Sequence, residues 1–192
     1  MTVGLTGGMG CGKSTAARLF EQRGFRRIDV DELVRERVLR DPAIIAAIRG
    51  QFGEGVVSDG QISRPALARI VFAAEDQLRQ LEEIVHPAVS QLWRGAIAAE
   101  PHLRWVAEVP LLFEKGLENR FDFTVCVACS PALQLARLER RGVPRDLAGQ
   151  RISKQLPLVT KIQRADFVLW NEGSAEFLQA EIDHLIAHQL TA

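Results

Sequence analysis

No stretch of this 192-residue chain approaches the roughly 20 apolar residues needed to cross a bilayer, so no membrane span is expected. Met1–Thr6 runs straight into the first motif, so no secretory leader is expected either. Net charge is lacking too, since 24 basic residues balance 24 acidic ones. That balance gives no overall field for nucleic acid or anionic lipid, and neither is expected as a partner. It does not predict self-association in either direction; a monomer or weak homo-oligomer is expected. Lysine is scarce, with only Lys13, Lys115, Lys154 and Lys161. Phosphate contacts beyond the first loop are therefore expected from arginine. Cysteine is limited to Cys11, Cys126 and Cys129, an odd number without a disulfide framework, which suits a reducing cytoplasm. Cys126 and Cys129 fall in the apolar run Phe123–Cys129. A strand turns residues three apart to opposite faces, so core packing explains them better than redox or metal chemistry. Repeats and low-complexity tracts are absent.

What is present is an ordinary globular composition, 47% hydrophobic and 25% charged, in a length that suits one domain with a small insertion. Thr2–Thr6 reads as a buried strand ending at Gly7-Gly8, and Ser14–Gly24 as a helix stopped by Gly24. Arg27–Val30 reads as a second strand. Strand, loop, helix, strand is the start of a parallel α/β sheet. Leu33–Leu39, Ala43–Phe52, Pro65–Ala73 and Gln77–Val85 follow as helices. Pro87 breaks the pattern, and a further helix is expected over residues 88–99. Strands are expected at Leu103–Val109, Phe123–Cys129 and Phe167–Leu169, with helices at Pro131–Arg141, Asp146–Gln155 and Ser174–Gln189. The expectation is a five-stranded parallel sheet flanked by helices. Residues 1–41 and 101–192 would form the core, 42–100 an all-helical substrate-binding insert, and about 138–164 a helical lid.

Gly7-Gly8-Met9-Gly10-Cys11-Gly12-Lys13-Ser14 fits G-x-x-x-x-G-K-[ST]. The glycines let backbone N–H groups surround a phosphate, the following helix presents its positive end, and Lys13 reaches the β- and γ-phosphates. Ser14 would ligate Mg²⁺, and Thr15 is expected among the nucleotide contacts. A random chain of this length matches the pattern about once in a hundred. Here it also follows an expected strand and opens an expected helix, so ATP and Mg²⁺ are the expected ligands. Cys11 stands at a helix N-terminus that lowers thiol pKa, so ready alkylation is expected.

A guanine-binding Asn-Lys-x-Asp is missing. A kinase needs a carboxylate at the acceptor hydroxyl and cations over the transferring phosphate. Asp29 and Asp31 follow the second strand, where the strand ends of an open sheet line the crevice. One of the pair is expected to cap the next helix. Asp31 is favoured as the base or orienter, with Asp29 the alternative. Arg137, Arg140 and Arg141, then Arg145, Arg151 and Lys154, suit a lid that excludes water and supplies guanidinium groups.

With these residues in place the chain resembles the dephospho-CoA kinase family. The likeness rests on Val3–Thr15 (with Cys11 where serine is usual), Ile28-Asp29-Val30-Asp31, Ile62–Leu67, Leu81–Pro87 and Pro110-Leu111-Leu112-Phe113-Glu114. It continues through Gln134-x-x-Arg137, Arg141, Arg151-Ile152, Lys161, Ala165-Asp166 and Asn171-x-Gly173-Ser174. The resemblance implies ATP-dependent phosphorylation of the ribose 3′-hydroxyl of dephospho-CoA. It makes Asp31 the catalytic carboxylate and gives acceptor binding to the helical insert. Arg64, Leu67 and His86 then become candidate substrate contacts there, with Pro110 and Glu114 at the crevice, while Asn171 and Gly173 would flank adenine. Two alternatives stay open: another small-molecule kinase for a nucleoside, nucleotide or shikimate-like acceptor, and a nucleotide-gated binding protein without phosphotransfer.

Overall fold

Strand β1 (Thr2–Gly7) is buried from Val3 onward because it has a strand on each side. In this computed structural model, which describes residues 1–190, the sheet runs β2 (Arg26–Asp29), β5 (Trp105–Glu108), β1, β6 (Phe123–Ala128), β7 (Phe167–Trp170). β1 pairs parallel with β5 and with β6, and β6 pairs parallel with β7. Inner strands of such a sheet lie under helices on both faces, which is why β1, β5 and β6 read as apolar runs and not as alternations. The chain leaves β1 for strands on both of its sides, so β1 ends at the point where strand order reverses. Open parallel sheets place their ligands there.

Two units emerge, residues 1–28 with 101–192, and residues 29–100. In the first, α1 (Lys13–Glu21) buries Ala16, Ala17, Leu19 and Phe20, four residues on one helical stripe. Phe20 meets Phe25 edge-on at 5.2 Å, and the Arg104 guanidinium covers Phe25 at 4.6 Å. Helix α9 (Ala175–His188) adds Leu178, Ile182 and Leu185 to the same core, and its Asp183 pairs with Arg23. Helices α6 (Pro131–Arg140), α7 (Arg145–Ser153) and α8 (Leu158–Arg164) follow β6. Seven-residue α8 is not anticipated from the sequence, being too short, and too rich in β-branched Val159 and Thr160, to show a helical period.

The second unit holds α2 (Val30–Glu36), α3 (Pro42–Phe52), α4 (Arg64–Val71) and α5 (Glu75–Ala99). Helix α2 packs on α5 and so belongs to this unit. A two-residue-per-strand hairpin, β3 (Val57–Ser58) with β4 (Gln61–Ile62), turns at Asp59-Gly60, so the insert is not wholly helical. Pro87 does not break α5, which is one 25-residue helix. Pro87 sits on the exposed side, as does Glu83, whose carbonyl loses its helical donor to the proline. On the other side Val85, Val89 and Trp93 are buried at four-residue spacing. Burying the two valines contributes about 3–6 kcal/mol, enough to offset the roughly 3 kcal/mol of an interior proline. Among the described residues no helix is long and apolar enough to cross a membrane.

Candidate active site

The turn between β1 and α1 is closed by the Cys11 amide donating to the Gly8 carbonyl at 3.2 Å. Gly12 precedes α1 with φ 97°, a left-handed conformation, and a Cβ there would stand 2.2 Å from Asn171 Nδ2. A Cβ on Gly8 would stand 2.4 Å from Gln134 Nε2. The Gly12 position therefore favours glycine for its conformation, and a side chain at Gly8 would push Gln134 aside.

Three side chains from elsewhere in the unit hold this loop by its carbonyls. Gln134 on α6 donates from Nε2 to Met9 at 2.7 Å. Asn171, just beyond β7, donates from Nδ2 to Cys11 at 2.9 Å, and Arg137 on α6 reaches the same carbonyl at 3.5 Å. Arg137 also donates to Asn171 Oδ1 at 3.4 Å. Gln134 and Asn171 are buried, so their bonds form in low dielectric and are costly to leave unmade. Lys13 lies over the loop, donating to the carbonyls of Gly7 at 3.1 Å and Gly8 at 3.2 Å. Ser14 is exposed in the first turn of α1. Magnesium takes few protein ligands and keeps phosphate and water oxygens, so one exposed hydroxyl beside a phosphate-binding turn suits it without an acidic cluster.

Cys11 departs from expectation. Its side chain is fully buried, with Sγ 3.5 Å from Cys129 Sγ. The Cys129 thiol donating to it, helped by the Lys13 charge and opposed by burial, holds Cys11 below the usual thiol range. Cys129 is pushed up by the same bond and by burial. Burial raises Cys126 to about 11. A low pKa does not make Cys11 reactive when the sulfur is sealed in the core.

Other expected residues fall as follows. Arg141, directly after α6, is exposed and its side chain makes no hydrogen bond or ion pair among the described residues. Arg145 pairs with Glu139 at 3.3 Å. Gly173 is exposed beside Phe177, two residues past Asn171. Pro110 and Glu114 are tied inward by Lys161, at 3.0 Å and 2.7 Å respectively. Beyond the expected residues, Glu108 ends β5 buried, with Arg27 at 3.4 Å.

In the second unit the paired aspartates separate into two roles. Asp29 is the N-cap of α2, accepting the Glu32 amide at 3.0 Å. Asp31 lies in the first helical turn and is exposed. Arg64 opens α4, exposed, while Leu67 one turn later is buried and packs inside the unit. His86 is exposed on α5, next to Pro87.

Sequence reasoning overlooked Gln134 and Lys161 as site residues. Gln134 stands three residues before Arg137 and so shares its helical face, a spacing that pointed to it. Lys161 stood only among the residues of the family likeness, because nothing local shows that a lysine will be wholly buried.

A family model for dephospho-CoA kinase matches residues 1–176. A dephospho-CoA kinase of Thermosynechococcus vestitus is 41% identical over 186 residues, covering 95% of this chain and 92% of that protein. A crystal structure of TT1252 from Thermus thermophilus superposes with a TM-score of 0.88 at 35% identity, covering 100% of this chain and 98% of that one. The dephospho-CoA kinase of Campylobacter jejuni, 24% identical, shares the fold with a TM-score of 0.72 over 97% of this chain and 95% of that one.

Proposed function

Because the chain belongs to the dephospho-CoA kinase family, we propose that it transfers the γ-phosphoryl group of ATP to the ribose 3′-hydroxyl of dephospho-CoA, giving CoA and ADP. The observation that carries this is the glycine turn held open by Gln134, Arg137 and Asn171 and followed by Lys13 at the head of α1. Backbone amides of Gly8–Ser14 then take the triphosphate, aided by the positive end of α1. Lys13 leaves its loop carbonyls for the β- and γ-phosphates. Ser14 would hold Mg²⁺, which when bound neutralises phosphate charge, and Thr15 belongs with the nucleotide contacts.

Asp31 orients the acceptor hydroxyl and receives its proton, a role supported by Asp29 being engaged as the helix cap. Arg137 spreads positive charge over the transferring group, and Arg141, with no internal partner among the described residues, is available to close over it. Arg64 and His86 offer the acceptor a cation and an imidazole on the insert's surface. The setting is proposed to be the cytoplasm, in keeping with three free thiols. Most of the acceleration comes from positioning and electrostatics, since phosphoryl transfer leaves the protein little covalent work.

An ADP-release assay with dephospho-CoA, against AMP and adenosine as competing acceptors, tests the proposal. ADP release should depend on dephospho-CoA, with the product phosphorylated at the 3′ position. Equal turnover with adenosine, or with water alone, refutes it.

A further inference from the structure

We propose that Lys161 is a positioning residue of the reaction, linking the root of the phosphate loop, the loop after β5 and the lead-in to α8 in one polar chain. The inference rests on the phosphotransfer reading above. Lys161 is 0% exposed, although ammonium groups are among the most expensive to bury. Its Nζ donates to the Pro110 carbonyl at 3.0 Å and pairs with Glu114 Oε1 at 2.7 Å. The same Glu114 oxygen accepts the Leu156 amide at 3.0 Å. The Pro110 carbonyl also accepts the Thr6 hydroxyl at 3.4 Å. Thr6 is buried and immediately precedes Gly7, whose carbonyl holds Lys13.

Three parts of the unit thus meet at one ammonium. Thr6 anchors the strand end from which the phosphate loop springs. Pro110 and Glu114 form the loop beyond β5. Leu156 lies in the short connection from α7, the helix that carries Arg151, to α8. A hydrophobic side chain would fill the core at least as well as a buried lysine, so stability alone gives little reason for the charge. The loop after β5 has a second bracket that does not need Lys161. Arg164 donates to the Phe113 carbonyl at 3.4 Å, pairs with Glu118 and lies over the Phe113 ring at 4.8 Å. What Lys161 adds is the joint between the Pro110 carbonyl, which also accepts Thr6 below the phosphate loop, and Glu114, which holds the α7–α8 connection. Supporting groups of this kind hold a reacting geometry to fractions of an ångström.

The test compares Lys161→Met, Glu114→Gln and the double variant for Tm, kcat and KM for ATP, with Thr6→Val as an independent probe. Lys161→Met leaves the mostly buried Glu114 carboxylate without its cation, so Tm and kcat both fall. In the double variant no lone charge is buried and Tm recovers toward wild type. The Pro110 carbonyl still lacks its ammonium, so kcat stays at least about tenfold low. Thr6→Val should lower kcat by roughly 2- to 10-fold, the worth of one neutral hydrogen bond. Recovery of kcat along with Tm in the double variant reduces Lys161 to a structural role and overturns the inference. Should the double variant not fold, a Thr6→Val protein with wild-type kcat overturns it equally. A wild-type protein that transfers nothing to dephospho-CoA removes the phosphotransfer reading itself, a separate result from an active wild type with an active double variant.

Discussion

Asn171→Ala separates two roles for a residue that stands beyond the last strand. Flanking adenine would make it a contact of the base. In the fold its amide instead donates to the Cys11 carbonyl at 2.9 Å while its oxygen accepts Arg137 at 3.4 Å. Alanine removes both bonds. The Cys11 carbonyl keeps only the longer approach of Arg137, at 3.5 Å. The loss is then that of one good buried hydrogen bond with partial compensation, about 1–2 kcal/mol. That energy loosens the phosphate loop, which holds any nucleoside triphosphate alike. ATP affinity should fall about 5- to 30-fold, and GTP affinity by the same factor. Titration calorimetry with both nucleotides, alongside Tm, makes the measurement. A change in the ATP-to-GTP ratio as large as the loss for ATP would return Asn171 to the base. Unchanged affinity for both would refute the propping role.

Asp31→Ala should lower kcat by about 10²- to 10⁴-fold, whereas Asp29→Ala should mainly cost about 1 kcal/mol of cap stability. Steady-state kinetics with thermal melts distinguish the two, and a near wild-type rate for Asp31→Ala removes it from the chemistry. Cys11 should resist iodoacetamide in the native protein throughout the time that the denatured protein takes to react fully. Rapid native modification blocked by ATP, followed by mass spectrometry, would contradict its burial. Arg23 depresses the pKa of Asp183, so this pair stabilises the fold above the ordinary carboxylate range, and the benefit is lost as pH falls through the depressed value. Asp183→Asn should therefore lower Tm slightly at neutral pH, and the difference should shrink as pH drops below about 4. A Tm difference that is constant with pH argues against the ion pair.

The phosphate loop was legible because its chemistry is local: the glycines, the lysine and the serine are contiguous, and strand and helix signals flank them. Strands β1, β5 and β6 were legible as apolar runs because sandwiching between helix layers removes the polar alternation. Pro87 misled because local propensity cannot tell which side of a helix will face water. The strands on either side of Asp59-Gly60 left no trace in the sequence, since two residues carry no period.

Sequence by itself determined the nucleotide-binding turn, the α/β order of elements and the aspartate pair, all of which follow from neighbours along the chain. Only the tertiary structure decided that Asp29 is the cap, that Asn171 and Gln134 hold the loop, and that Lys161 lies at the core with Glu114. Those assignments depend on groups between 47 and 160 residues apart meeting in low dielectric, apart from the Asp29 cap, which depends on where α2 starts. Burial is a property of the assembled layers, and it fixes whether a polar side chain serves the protein's own backbone or remains open to a ligand.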